Sequence, residues 1–72
     1  MSTILETIAD QLARDALDAA DKAGDDELVD KVGKAIGVSS PTFQEAFNTA
    51  VRIRRAERRG RAALDALISA KS

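Results

Sequence analysis

The residues of this 72-residue chain that could do chemistry are mainly charged ones, and the basic residues are gathered in one segment. Six of the seven arginines lie within ten consecutive positions: Arg52, Arg54, Arg55, Arg58, Arg59 and Arg61. Guanidinium groups form paired hydrogen bonds with phosphates and carboxylates. The cluster therefore predicts contact with nucleic acid, with an acidic protein, or with acidic side chains of the same chain.

The acidic residues are concentrated in the other half of the sequence. Residues 1–30 contain nine acidic and two basic residues, a net charge of −7, whereas residues 31–72 contain nine basic and three acidic residues, a net charge of +6. This asymmetry indicates either a basic end that binds a partner or neutralisation within the molecule. Asp15, Asp18 and Asp21 could ligate a hard cation, but we interpret them as a solvated helix face and predict no metal or cofactor.

Most enzyme chemistry lacks the side chains that it requires. The chain has no histidine and no cysteine, so it offers no imidazole base and no thiolate nucleophile or ligand. Ser39, Ser40 and Thr42 lie close together, but helix capping explains them. The glycines do not have the spacing of a phosphate-binding loop. We therefore predict a non-enzymatic protein without a small-molecule substrate.

The pattern of apolar residues predicts helix throughout. Thr3 and Glu6 have the spacing of a capping box, Gly24 is a helix stop, and Ser40 with Pro41 starts a further helix. We expect an all-α fold, a small three-helix domain spanning residues 1–72 with a long C-terminal helix. The predicted helices cover residues 3–23, 26–36 and 41–70.

Two glycines bear on where the predicted second and third helices end. Gly37 is expected to end the second helix, which Asp25 is placed to cap at its start. Gly60 lies within the third helix, where glycine costs about 1 kcal/mol relative to alanine. We favour a continuous helix through Gly60; the alternative is a break there, which leaves a short fourth helix over residues 61–70.

The predicted core consists of aliphatic residues and two phenylalanines. Its members are Leu5, Ile8, Leu12, Leu28, Val32, Ile36, Val38, Phe43, Phe47, Ala50 and Ile53. A second series in the first helix is made of alanine alone: Ala9, Ala13, Ala16, Ala20 and Ala23. Small side chains at this spacing let a facing helix approach closely. The alanine series therefore predicts a helix–helix contact, within one chain or between two.

The segment from Leu28 to Asn48, LVDKVGKAIGVSSPTFQEAFN, resembles a helix-turn-helix motif. Gly33 stands where the two helices would cross, Gly37 would be the turn glycine, and Val38 would fill the core after the turn. The second helix of such motifs enters the major groove of DNA. The resemblance implies that Ser39, Thr42, Gln44 and Asn48 contact DNA. A structural helix corner is the alternative.

The arginines flank an apolar seam on the third helix. At 100° per residue, Ile53, Ala56, Gly60 and Leu64 share one side, with arginines on both flanks. The third helix is also longer than the first, so its apolar end is left without a partner within the chain. This predicts a homodimer whose seam contains Gly60, Leu64, Leu67 and Ile68.

These observations favour a small interaction module that self-associates, with itself or an acidic protein as the partner. The alternative is a DNA-binding regulator that uses the six arginines and the helix-turn-helix-like segment. Membrane binding is disfavoured because the basic helix has no aromatic anchor. No apolar run is long enough for a transmembrane helix, and no signal peptide is visible, so we expect a cytoplasmic protein.

Overall fold

The computed structural model describes residues 3–71, which form three α-helices and, within that range, no strand. The helices are α1 (Ile4–Ala23), α2 (Glu27–Ser39) and α3 (Pro41–Lys71). The predicted all-α fold with a long C-terminal helix is confirmed. The connections are residues 24–26 and the single residue Ser40. Asp10 pairs with Arg54 and Asp21 pairs with Arg58, so α1 and α3 run in broadly the same direction.

The ends of α1 follow the predicted capping pattern. The Thr3 hydroxyl accepts a hydrogen bond from the Glu6 backbone N–H at 3.2 Å. At the other end, Gly24 adopts a left-handed conformation with φ of 65°, and the Asp25 N–H donates to the Ala20 carbonyl at 3.0 Å. A residue with a Cβ is strained in that conformation, so glycine is the residue that suits this stop.

The end of α2 differs from the prediction, because Gly37 does not stop the helix. The helix continues to Ser39, and the break falls at Ser40, which is extended with φ of −151° and ψ of 95°. Pro41 explains this, since the residue before a proline is forced out of the helical region by the proline ring. Ser40 then caps α3 as predicted, its hydroxyl accepting from the Phe43 N–H at 3.1 Å.

The third helix passes through Gly60 without a break. It is 31 residues long, which corresponds to about 46 Å at 1.5 Å per residue. The continuous helix that the sequence favoured is therefore the one observed. Because α1 has only 20 residues, the C-terminal third of α3 extends past it, and every described residue from Ala56 onward is exposed.

The buried core is built largely from alanine on α1 and from one phenylalanine on α3. The buried apolar residues are Ala9, Ala13, Ala16, Leu17, Ala20, Val29, Phe47, Ala50 and Val51. The alanine series is therefore a packing seam, as its spacing predicted, although Ala23 at its end is exposed. Phe47 is the largest fully buried side chain and packs near Gly33 of α2.

The predicted core was correct for two residues and wrong for three. Phe47 and Ala50 are buried, whereas Ile8, Val38 and Ile53 are exposed, Val38 by 90% and Ile53 by 63%. The other six are partly buried: Leu5, Leu12, Leu28, Val32, Ile36 and Phe43.

The exposure of Ile53 has a geometric cause. Ile53 lies about 120° around α3 from Phe47, and Val51 takes the buried position that the sequence pattern assigned to Ile53. The apolar pattern of α3 is wide enough to allow either face to be buried. Phe47, which packs against α2 near Gly33, selects the face that includes Val51.

The molecule is thin and extended. Its principal extents are 50 × 33 × 13 Å and its radius of gyration is 14.4 Å, compared with about 11 Å for a compact domain of this length. It exposes 5371 Å² of surface, whereas a compact monomer of 7.7 kDa exposes about 4,300 Å². The three helices therefore leave more surface uncovered than a compact domain of the same mass.

Candidate interaction surface

Two of the six clustered arginines bind acidic side chains of α1. Arg54 donates from Nε and Nη2 to the two carboxylate oxygens of Asp10, both at 2.7 Å. Arg58 contacts Asp21 at 2.9 Å and Asp18 at 3.5 Å. These ion pairs hold α1 against α3 in addition to the apolar contacts between the two helices. Part of the charge asymmetry is therefore neutralised within the chain.

The Arg54–Asp10 pair is the strongest of these contacts by geometry. A bidentate guanidinium–carboxylate pair combines two charge-assisted hydrogen bonds. Hydrogen bonding to Arg54 lowers the pKa of Asp10 from its ordinary value of 3.8, with partial desolvation opposing the shift and the charges of Arg54 and Arg14 adding to it. The same pairing raises the pKa of Arg54.

Replacing Arg54 with alanine is expected to lower the free energy of unfolding by about 1 kcal/mol at neutral pH, a small value because the pair is partly solvated. Because the pKa of Asp10 is lowered on folding, the pair stabilises fully above pH 4 to 5, and the stabilisation is lost as the pH falls below 3.8. Urea unfolding at pH 7 and at pH 3 measures both effects. An Arg59→Ala control should change stability little, and equal losses in both variants would contradict this role for Arg54.

Among the described residues, the other four arginines form no hydrogen bond or ion pair with α1. Arg61 donates to Glu57 of its own helix, with contacts of 3.1 and 3.2 Å that both end on Oε2. Within residues 3–71, Arg52, Arg55 and Arg59 form no ion pair. The clustered arginines with ion pairs, Arg54, Arg58 and Arg61, lie together on one flank of α3.

The residues assigned by the helix-turn-helix resemblance are not on one face. Thr42 lines a groove beside α1, whereas Gln44 and Asn48 line a shallow hollow of about 250 Å³ with Lys34 of α2. Ser39 is exposed and its hydroxyl donates to the Ile36 carbonyl at 3.4 Å.

The turn of this segment also differs from the resemblance. Gly33 does lie where α2 and α3 approach, since a Cβ there would be 3.3 Å from the Asn48 side chain. Gly37, however, is helical, and Val38 is exposed rather than packed in the core. One residue, Ser40, joins the helices, whereas the turn of helix-turn-helix motifs has three or four.

A continuous apolar stripe runs along the side of α3 that faces away from Phe47. We call it the outer stripe; it consists of Ala46, Thr49, Ile53, Ala56, Gly60, Ala63, Leu67 and Ala70. All of these are exposed except Ala46, which is half-buried. Leu64 borders the stripe, and Leu64 and Leu67 expose 53% and 65% of their surface.

The N-terminal half of the outer stripe forms one wall of an open groove of about 640 Å³. The opposite wall comes from the first turns of α1, including Leu5 and Asp10. Because α1 ends before α3 does, no described element flanks the C-terminal half of the stripe. The outer stripe therefore lines a groove in its N-terminal half and is an exposed helix face in its C-terminal half.

The predicted dimer seam overlaps the outer stripe only in part. The residues of the predicted dimer seam, Gly60, Leu64, Leu67 and Ile68, are exposed. Only Gly60 and Leu67 belong to both sets. The other members of the outer stripe were not assigned to the seam, although their seven-residue spacing is visible in the sequence: Ala46, Thr49, Ile53, Ala56, Ala63 and Ala70. Small residues at these positions look like ordinary helix formers until the buried face of α3 is known.

Comparisons of the chain with protein-family models, with curated proteins and with solved structures found no match. Within residues 3–71, none of the helices has the length and apolar character needed to cross a membrane. That range also contains no cluster of three or more acidic residues placed to hold a metal ion.

Proposed function

We propose that this protein is a non-enzymatic helical module that self-associates through the outer stripe of α3. One observation carries the proposal: the C-terminal half of α3 presents large aliphatic side chains, such as Leu64 and Leu67, that no described element covers. Exposed apolar surface organised along one helix face is typical of protein–protein contact.

The surface area supports a partner of protein size. The exposed surface of 5371 Å² exceeds that of a compact monomer by about 1,000 Å². A standard protein–protein interface buries about 800 Å² on each partner. Burying the outer stripe against a second copy therefore brings each chain close to the exposure of a compact protein.

Sedimentation equilibrium of the wild-type chain over about 1 to 100 µM tests the proposal, because dissociation of a dimer depends on concentration. We expect a mass above the 7.7 kDa of one chain at the higher concentrations. The double variant Leu64→Glu/Leu67→Glu should sediment as a single chain, because it places charge within the stripe.

Ala62→Glu is the matched control, since Ala62 is exposed on the same part of α3 but lies about 140° or more around the helix from Leu64 and Leu67. This variant should associate as the wild-type chain does. Circular dichroism of each variant checks that the helices remain formed. A single-chain mass for the wild-type protein at 100 µM would overturn the proposal.

Nucleic-acid binding is a second candidate, favoured by the three arginines that form no ion pair. Arg52, Arg55 and Arg59 fall within about 60° of one another around α3. Three phosphate contacts give an affinity that falls about 40-fold between 50 and 200 mM salt. Fluorescence anisotropy with duplex DNA and with RNA measures this dependence, and the absence of binding at 50 mM salt would remove this candidate.

A further inference from the structure

The outer stripe has the repeat of a coiled-coil seam. One series recurs every seven residues at Ala46, Ile53, Gly60 and Leu67, and a second series, three residues later in each repeat, is Thr49, Ala56, Ala63 and Ala70. No charged residue occupies either series. A repeat of this kind over more than three heptads is the pattern by which two helices pair along their length.

The two edges of the stripe differ in charge. Along one edge lie Glu45, Arg52, Arg59 and Ala66, each directly before a residue of the first series. Along the other edge lie Ala50, Glu57, Leu64 and Lys71, each directly after a residue of the second series. In paired helices these edge positions choose both the partner and the relative direction of the helices.

We propose that two copies of this chain pair through the outer stripe with their α3 helices parallel. This rests on the proposed self-association and adds its orientation. In a parallel pair, a residue on the edge before the first series lies beside a residue on the other edge of the partner, five positions further along the sequence. Arg52 of each copy then faces the partner's Glu57, which gives two opposite-charge contacts related by the two-fold axis.

Both groups retain the capacity for this contact. Arg52 is exposed and forms no ion pair within residues 3–71. Glu57 binds Arg61 only through Oε2, so Oε1 can accept from the partner's Arg52. Within the single chain, Arg52 therefore has no ion-pair partner and Glu57 uses only one of its two oxygens, so both can form the contact in the parallel pair.

The antiparallel alternative places like charges together. An antiparallel pair that overlaps the whole stripe from residue 46 to residue 70 has its axis near residue 58. Antiparallel helices bring the same edges together, so Arg59 lies beside the partner's Arg59 along one edge and Glu57 lies beside the partner's Glu57 along the other. Like charges across an interface oppose association, so the charge pattern selects the parallel arrangement.

Disulfide cross-linking can determine the orientation, because the chain has no native cysteine. The variants Thr49→Cys and Ala63→Cys are prepared separately; the two positions lie about 21 Å apart along α3. In the parallel pair each introduced cysteine lies beside its own counterpart, so both variants should oxidise to covalent dimers on a non-reducing gel. Ala62→Cys, which lies off the stripe, is the control and should form few.

The antiparallel pair gives the opposite result. Residue 49 then lies opposite residue 67 of the partner, and residue 63 opposite residue 53, so neither single variant cross-links with itself. A mixture of Thr49→Cys and Leu67→Cys chains would instead form the mixed covalent dimer. That result, in a wild-type protein that sediments as a dimer, overturns the parallel orientation and leaves self-association standing, whereas a single-chain mass removes both.

A charge exchange tests the contact between Arg52 and the partner's Glu57 directly. Arg52→Glu should weaken dimerisation about tenfold, because two attractive pairs become repulsive. The double variant Arg52→Glu/Glu57→Arg restores opposite charge across the interface and should recover most of the wild-type affinity. Failure of the double variant to recover any affinity, with helix content unchanged, would exclude this pairing.

Discussion

Replacing Phe47 with alanine is expected to remove a large part of the stability of this protein. Phe47 is the largest fully buried side chain among the described residues, at 0% exposure. Substituting a buried phenylalanine with alanine costs about 3–5 kcal/mol, from lost burial and from the cavity that remains. A chain of this length has a total stability of about 4–11 kcal/mol. The Phe47→Ala variant should therefore lose at least about a quarter of its free energy of unfolding.

Thermal unfolding followed by circular dichroism measures this loss, at one fixed protein concentration because association also contributes to stability. A loss of 3 kcal/mol corresponds to a fall in Tm of about 12–24 °C for a small domain. Phe43→Ala is the control, since Phe43 is only half-buried and the cost of truncation scales with buried area. A smaller fall in Tm for Phe47→Ala than for Phe43→Ala would contradict the observed core.

Enlarging an alanine of the α1 seam is expected to have the next largest effect. Ala13 is fully buried and belongs to the core cluster that also contains Ala16 and Phe47. The variant Ala13→Leu adds three carbon atoms where there is no space for them, so α1 has to move away from α3. Overpacking of this kind costs about 1–3 kcal/mol, and leucine is nearly as good a helix former as alanine.

Ala19→Leu provides the matched control for this variant. Ala19 is on the same helix but exposed, so the same substitution there should change stability by less than about 0.5 kcal/mol. Urea unfolding of the two variants separates packing from helix propensity. If Ala13→Leu proved as stable as Ala19→Leu, the close approach of α1 at the alanine seam would be wrong.

The sequence predicted the local features of the fold because their causes are local. A cap such as Thr3 or Ser40 acts on backbone N–H groups two or three residues away, and Gly24 supplies a conformation that other residues adopt only with strain. The end of α2 was placed wrongly because two local signals competed. The ring of Pro41 imposes a steric limit on Ser40, whereas Gly37 only lowers helix propensity.

The arginine cluster shows where local reasoning stops. Its composition predicted contact with an acidic surface or a phosphate backbone, and the acidic first helix was a candidate for neutralising it. Only the placement of α1 on α3 separates Arg54 and Arg58, which bind Asp10, Asp18 and Asp21, from the arginines without ion pairs. Spacing alone left open which arginines are paired within the chain.

The sequence by itself determined three helices, their caps, the alanine seam and an apolar end of α3 that exceeds the length of α1. The tertiary structure decided which side of α3 is buried. Apolar residues occupy more than half of the circumference of this helix, so several rotations bury similar area and the pattern cannot choose among them. Packing of Phe47 near Gly33 makes the choice, and it leaves Ile53 and the outer stripe exposed.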